Sequence, residues 1–155
     1  MPCYQLHKEQ LLPASIEEVW DFVSRPKNLR IITPDYMGFD IVSTNDDQNM
    51  YPGMIIIYKV SPFLGIKLTW VTEITHVTEG KFFVDEQRLG PYSMWHHEHH
   101  LSIHDEGTLM TDIVTYRPPF GFAGSLVNRV LIKNKLDEIF KYRRSAMSNK
   151  FPGLQ

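Results

Sequence analysis

The sequence is poor in the features that announce most function classes. It holds one cysteine, Cys3, among 155 residues, which excludes an intramolecular disulfide framework and any cysteine-rich zinc module. No apolar run reaches the ~18–20 residues that span a bilayer. The opening MPCYQLHKEQ carries no hydrophobic leader core, so a cytoplasmic protein is expected. Neither sign of charge dominates: 16 Lys and Arg against 18 Asp and Glu give a formal charge of −2, which argues against a uniformly basic nucleic-acid binder. The phosphate loops G-x-G-x-x-G and G-x-x-x-x-G-K-[ST], the nucleophile elbow G-x-S-x-G and the metalloprotease H-E-x-x-H do not occur. What is there is ordinary for a globular chain, 43% hydrophobic and 22% charged. The length suits one domain over residues 1–155, large enough to bury a core and a cavity.

The local pattern predicts α+β. Residues 3–12 alternate loosely and read as a first strand. Ser15 with Glu18 three residues later forms a capping box, and Ile16, Val19, Trp20 and Val23 then give an apolar helical face. A second short helix over 28–32 ends at Thr33-Pro34, because the residue before proline avoids helical geometry. From 37 to 117 the period becomes two, with strands predicted at 37–43, 54–60, 66–77, 80–87, 92–104 and 108–117. Their short polar or glycine-containing links imply antiparallel hairpins. Residues 123–147 read as a long helix with two apolar stripes, Leu126, Val127, Val130 and Leu131 in one, Ile132, Leu136, Ile139, Phe140 and Met147 in the other. Residues 148–155 read as a frayed tail. A seven-stranded antiparallel sheet needs one face covered. The long helix is the element able to cover it, and a curved sheet gripping one helix leaves room for a ligand.

The densest chemical signal is Trp95-His96-His97-Glu98-His99-His100. Five of the seven histidines lie between 96 and 104. Neighbours on a strand point to opposite faces, so Trp95, His97, His99, Leu101 and Ile103 share the apolar, inward face. The same reading turns Phe83, Asp85 and Gln87 inward, then Met110, Asp112, Val114 and Tyr116, and also Ile66, Leu68, Trp70, Thr72, Ile74 and His76. Buried polar groups need partners, and carboxylates beside imidazoles satisfy both. Three uses of such a cluster stay open: a network that fixes strand register, a polar end that orients a mostly apolar ligand, or acid/base catalysis by His97 or His99 with Asp112 or Asp85 orienting it.

A metal is not expected. Residues i and i+2 on a strand lie about 6.5–7 Å apart, so zinc with ligands at about 2.1 Å would need a donor from an adjacent strand. No cofactor is called for. The stretch from Arg129 to Lys150 has an excess of basic residues, read mainly as a solvated face biased toward the helix C-terminus; contact with anionic membrane or RNA is the alternative.

Several stretches together resemble the SRPBCC superfamily, which includes steroidogenic-acute-regulatory-type lipid-transfer domains, pollen-allergen-type carriers and polyketide cyclase/dehydratase-like proteins. They are Leu12-Pro13-Ala14-Ser15 leading to Val19-Trp20-Asp21-Phe22, Asn28-Leu29 with Thr33-Pro34, Gly53, Trp70 with Ile74, Phe83-Val84-Asp85-Glu86-Gln87, and Gly90-Pro91-Tyr92 with Trp95, His97 and His99. Asp112, Val114, Tyr116, Pro119-Phe120-Gly121 and Ile139-Phe140-Tyr142-Arg143 complete the likeness, which runs over about residues 3–147 and looks like a small stand-alone bacterial ligand-binding group. The resemblance implies a helix-grip fold and a small hydrophobic ligand, lipid-, polyketide- or aromatic-like. The expected ligand site comprises Trp70, Phe83, Asp85, Gln87, Trp95, His97, His99, Asp112, Val114, Tyr116, Phe120 and Leu136, with entry at 118–125. The alternative is a cyclase-, dehydratase- or hydrolase-like enzyme with His97, His99 and Asp112 as its catalytic set. No nucleic-acid partner is expected, and the chain is expected to be a monomer or homodimer.

Overall fold

Alternating apolar and polar residues build most of the molecule. The computed structural model describes residues 3–43, 47–61, 65–119 and 131–153. Seven strands form one antiparallel sheet: β1 (Tyr4–Leu12), β2 (Asp40–Ile41), β3 (Ile55–Val60), β4 (Leu68–Thr78), β5 (Phe82–Leu89), β6 (Met94–His104) and β7 (Gly107–Arg117), in the order β1-β7-β6-β5-β4-β3-β2. Helix α1 (Ile16–Val23) and two 3-10 turns, Pro26–Arg30 and Asp35–Met37, lie between β1 and β2. Helix α2 (Lys133–Lys150) closes the chain against the sheet. This is the helix-grip arrangement. None of the described helices is long and apolar enough to cross a membrane.

The capping box at Ser15 forms as the sequence requires. The Glu18 N–H donates to the Ser15 hydroxyl at 3.3 Å, and the Ser15 N–H donates back to the Glu18 carboxylate at 3.0 Å. Four side chains of α1, Val19, Trp20, Phe22 and Val23, are then buried in a core shared with Leu12, Ile74, Phe83 and Met147. At the turn between β6 and β7, Gly107 has φ +136°, and a Cβ there would collide with the Leu12 carbonyl oxygen. The same crossing is tied by Thr108 Oγ1 donating to the Ala14 carbonyl at 2.9 Å.

Three expectations change. The strand expected over 37–43 shrinks to Asp40–Ile41. Gly38 is left-handed at φ +55°, and the Val42 and Ser43 N–H groups both donate to the Ile57 carbonyl, which ends the ladder. His76 does not face inward with Ile74. The β4–β5 register shifts between Ile74 and His76, and this bulge turns His76 to solvent and brings Val77 opposite Phe83. Ile66 and Ile103, also expected inside, are 59% and 81% exposed: Ile66 precedes the start of β4, and Ile103 lies next to the end of β6.

The helical period also continues past the expected end. Residues 148–150, placed in a frayed tail, belong to α2. Met147 is fully buried, the Phe151 ring packs edge-on against Phe22 at 5.7 Å, and Gln10 Nε2 donates to the Arg144 carbonyl and to Ser148 Oγ. The first part of the expected long helix, 123–130, lies outside the described residues. Met147→Ala should therefore cost about 2–5 kcal/mol, as a core truncation does. Denaturant unfolding measures it, and a loss of a few tenths would mean that the helix end carries no packing.

Candidate functional site

The inward faces of β3 to β6 and the buried stripe of α2 enclose a cavity of about 150 Å³. Its walls are mainly aromatic. Trp70 meets Trp95 edge-on at 5.4 Å and stacks on Tyr58 at 5.9 Å, and Tyr92 lies 4.9 Å from Trp95. One region is polar and is built by Asp85, His97, His99 and Arg143. The strand register creates it. Asp85 pairs with His97 across β5–β6, and His99 pairs with Asp112 across β6–β7, so two imidazoles from one strand sit between two carboxylates from its neighbours.

The geometry is reciprocal. His97 Nε2 lies 3.0 Å from Asp112 Oδ1, and His97 Nδ1 lies 3.4 Å from Asp85 Oδ2. His99 Nδ1 lies 2.9 Å from the same Asp112 oxygen, and its Nε2 lies 2.7 Å from the same Asp85 oxygen. The two rings are 3.7 Å apart, and Phe83 stacks on His99 at 4.1 Å. From α2, Arg143 Nη2 reaches 3.3 Å from Asp112 Oδ1 and 3.2 Å from His99 Nδ1.

The charges follow from these contacts. Burial alone would raise the Asp112 carboxyl, yet Arg143 and the hydrogen bonds from both histidines hold it well below the usual carboxylate range. Asp85 is likewise pushed up by burial, but the two imidazoles and Arg143 bring it below its ordinary value. Burial also disfavours the His99 cation, and its bonds to Asp112 and Asp85 outweigh that, so its pKa is raised. His97 goes the other way, down to about 4, first through burial and then through the neighbouring His99 charge. With His99 an imidazolium, its Nδ1–H faces Asp112 at 2.9 Å, and the Arg143 guanidinium forms an ion pair with the same carboxylate at 3.3 Å. Two carboxylates then face two cations, and the buried cluster closes at zero net charge.

Of the residues expected at the site, Trp70, Phe83, Asp85, Trp95, His97, His99 and Leu136 line the cavity. Asp112 lies behind the histidines and borders a second cavity of about 240 Å³ beside Lys8, Asp137 and Lys141. Gln87 clamps the β5–β6 connection instead: its Nε2 donates to the Tyr92 carbonyl at 2.7 Å, and its Oε1 accepts from the Tyr92 N–H at 3.2 Å. Val114 and Tyr116 pack into the core under α2. Phe120 and most of the expected entry segment lie outside the described residues. Two of the lining residues outside the expected set are Arg143, expected on a solvated basic face, and Tyr58. The signal for Arg143 was available: Leu136, Phe140, Arg143 and Met147 are spaced four, three and four apart and are all buried.

The two histidines have opposite consequences for stability. Between the ordinary value of 6.5 and about 4, the unfolded chain protonates residue 97 and the folded chain does not, so this group lowers stability as the pH falls through that window. The raised pKa of His99 contributes stability that is complete below 6.5 and fades as the pH rises through its folded value. Imidazole ¹⁵N spectra of chelator-treated protein at pH 6 should show residue 99 doubly and residue 97 singly protonated; the reverse assignment would overturn this charge distribution. His97→Gln should make the acid-side loss of stability shallower. Arg143→Met, which strips the buried carboxylate of a partner, should cost about 3–5 kcal/mol in denaturant unfolding.

A family described as "Polyketide cyclase / dehydrase and lipid transport" matches residues 12–137. No curated protein matches the chain. Among solved structures, protein Ms6760 from Mycobacterium smegmatis is similar with a TM-score of 0.66 at 17% identity, covering 94% of this chain and 92% of that one. Protein CV1439 from Chromobacterium violaceum gives 0.71 at 12%, covering 95% and 96%. Major latex-like protein 151 from Panax ginseng gives 0.66 at 11%, covering 97% and 98%. At these identities the structural likeness is one of fold. The family match spans well over half of the chain, and with the helix-grip sheet and the cavity beneath α2 it identifies the chain as a member of the polyketide cyclase / dehydrase and lipid transport family, within the SRPBCC superfamily.

Proposed function

We propose that this protein binds a small, largely apolar molecule, ring-shaped and bearing one or two polar groups, in the cavity between the sheet and α2. The observation that carries the reading is the cavity's composition: aromatic walls with one polar region of Asp85, His97, His99 and Arg143. Aromatic surfaces supply burial energy and orientation, and the few convergent polar groups select the ligand's polar end. The cavity's about 150 Å³ suits a single ring better than a long acyl chain; an apolar cavity of that size in another protein holds benzene. A second feature supports a ligand that accepts a hydrogen bond. The Trp70 indole Nε1 is buried without a hydrogen-bond partner among the described residues, which costs about 1–3 kcal/mol.

Proton transfer on the bound molecule is the second reading, favoured by the bond that holds His97 to Asp112 at 3.0 Å. His97, with its pKa near 4, is far from the neutral range in which general bases work best, and His99 is paired through both ring nitrogens with Asp85 and Asp112, so binding is the stronger reading. A rate profile controlled by a group titrating near neutrality would reverse that order.

Native mass spectrometry of protein purified without a tag or metal column tests for a co-purifying organic molecule, and calorimetric titration with 4-methylphenol tests the chemistry of the site. Asp85→Asn should weaken binding of 4-methylphenol about tenfold or more, the loss of one hydrogen bond to a charged group. Gln87→Ala should leave affinity within about twofold, because the Gln87 amide bonds the Tyr92 backbone and does not line the cavity. No organic adduct together with no heat of binding, or equal effects of the two substitutions, would sink the proposal.

A further inference from the structure

We propose that Asp85, His97 and His99 form an open, three-donor site for a divalent first-row transition-metal ion, with Asp112 as the carboxylate that positions both imidazoles. A metal needs a donor from a strand adjacent to the two histidines, and the register provides it: Asp85 of β5 is the paired residue of His97 on β6. Asp85 Oδ2 lies 3.4 Å from His97 Nδ1 and 2.7 Å from His99 Nε2. One ligand atom from each of the three residues falls within 4.8 Å of the others. Metal–ligand bonds of about 2.0–2.2 Å set donors about 3–3.5 Å apart; the 3.4 Å Asp85–His97 pair already meets this, and the 2.7 Å Asp85–His99 pair would open by about half an ångström to admit an ion.

The far side of the histidines carries the argument further. His97 Nε2 and His99 Nδ1 both turn to one oxygen of Asp112, at 3.0 and 2.9 Å. A metal-binding imidazole keeps its other nitrogen protonated and donates it to a carboxylate, which fixes tautomer and ring orientation. Here one carboxylate does this for both rings and leaves Nδ1 of His97 and Nε2 of His99 on the Asp85 side. Arg143 stands on the Asp112 side, so its guanidinium does not occupy the metal position. All three donors line the cavity, and the remaining coordination positions face the space where a small molecule would sit. Two histidines, one carboxylate and open positions are the donor set of mononuclear iron(II) and catalytic zinc sites. The site does not depend on the organic-ligand reading, because an ion can bind with the cavity otherwise filled by water.

Tag-free, chelator-treated protein titrated with Co²⁺ tests the site by visible absorption and by NMR of the histidine side chains. One equivalent should bind with ligand-field absorption, and the paramagnetic shifts should fall on His97 and His99 of the unaltered protein. Asp112→Asn should lower Co²⁺ affinity about 10–100-fold, and Asp85→Asn and His97→Ala should abolish one-to-one binding. The outer face of the same sheet supplies the control. There His96 and His100 contact Glu86 and Glu98, and the double substitution His96→Ala with His100→Ala should leave affinity unchanged. No stoichiometric binding, or paramagnetic shifts on His96 and His100 instead, would overturn the proposal; the second readout needs no variant and is unaffected by folding defects. Loss of organic-ligand binding with Co²⁺ binding intact would count against the ligand reading alone.

Discussion

One buried carboxylate organises the polar interior. Asp112 places a single oxygen within hydrogen-bond reach of two histidines, with Arg143 beside them. An isolated carboxylate in such a position would be strongly disfavoured. Its neighbours are therefore constrained: β6 must present two imidazoles on one face, β7 must pair so that Asp112 meets His99, and α2 must dock so that a guanidinium arrives from above. Asp85 repeats the constraint from the other side. The cluster ties three adjacent strands and the helix into one arrangement, which is how a buried polar network specifies a structure.

That arrangement also divides the interior. On one side lies the aromatic cavity. On the other lies the more charged space beside Lys8, Asp137 and Lys141. Arg143 and Phe140 border both. The helix is held from outside by Lys8 donating to Asp137 at 2.9 Å and by Gln10 donating to the Arg144 carbonyl. These contacts lock α2 against β1, and they fix the height at which Arg143 meets the cluster. Packing at the helix end, where Met147 and Phe151 join the α1 core, links the cap of the first helix to the position of the last.

The same physics separates binding from chemistry. With His99 and Arg143 charged opposite Asp85 and Asp112, the charges cancel within the site, and His97 is held near 4, below the neutral range. Such a site presents fixed polar atoms to the cavity. An ion at the Asp85 side would change that balance, because the largest local charge would then face the cavity.

Local pattern was enough for much of this. Alternation gave the seven-stranded antiparallel sheet, the Ser15–Glu18 spacing gave the α1 cap, and the strand period put His97 and His99 on one inward face with Asp85 and Asp112 on neighbouring strands. These features depend on residues close in sequence and on a period of two, so they are legible in one dimension. Tertiary structure decided the rest. The β4–β5 bulge that turns His76 outward is a mismatch between two strands, invisible in either alone. Gln87 shares a strand face with Asp85, and only the path of the β5–β6 connection makes it a backbone clamp. Arg143 follows the helical period of buried residues, but an arginine becomes an interior group only when a carboxylate is already buried within its reach. Whether two histidines and two aspartates interleave is set by registers across β5, β6 and β7, because pairing at positions distant in sequence obeys the packing of the whole sheet.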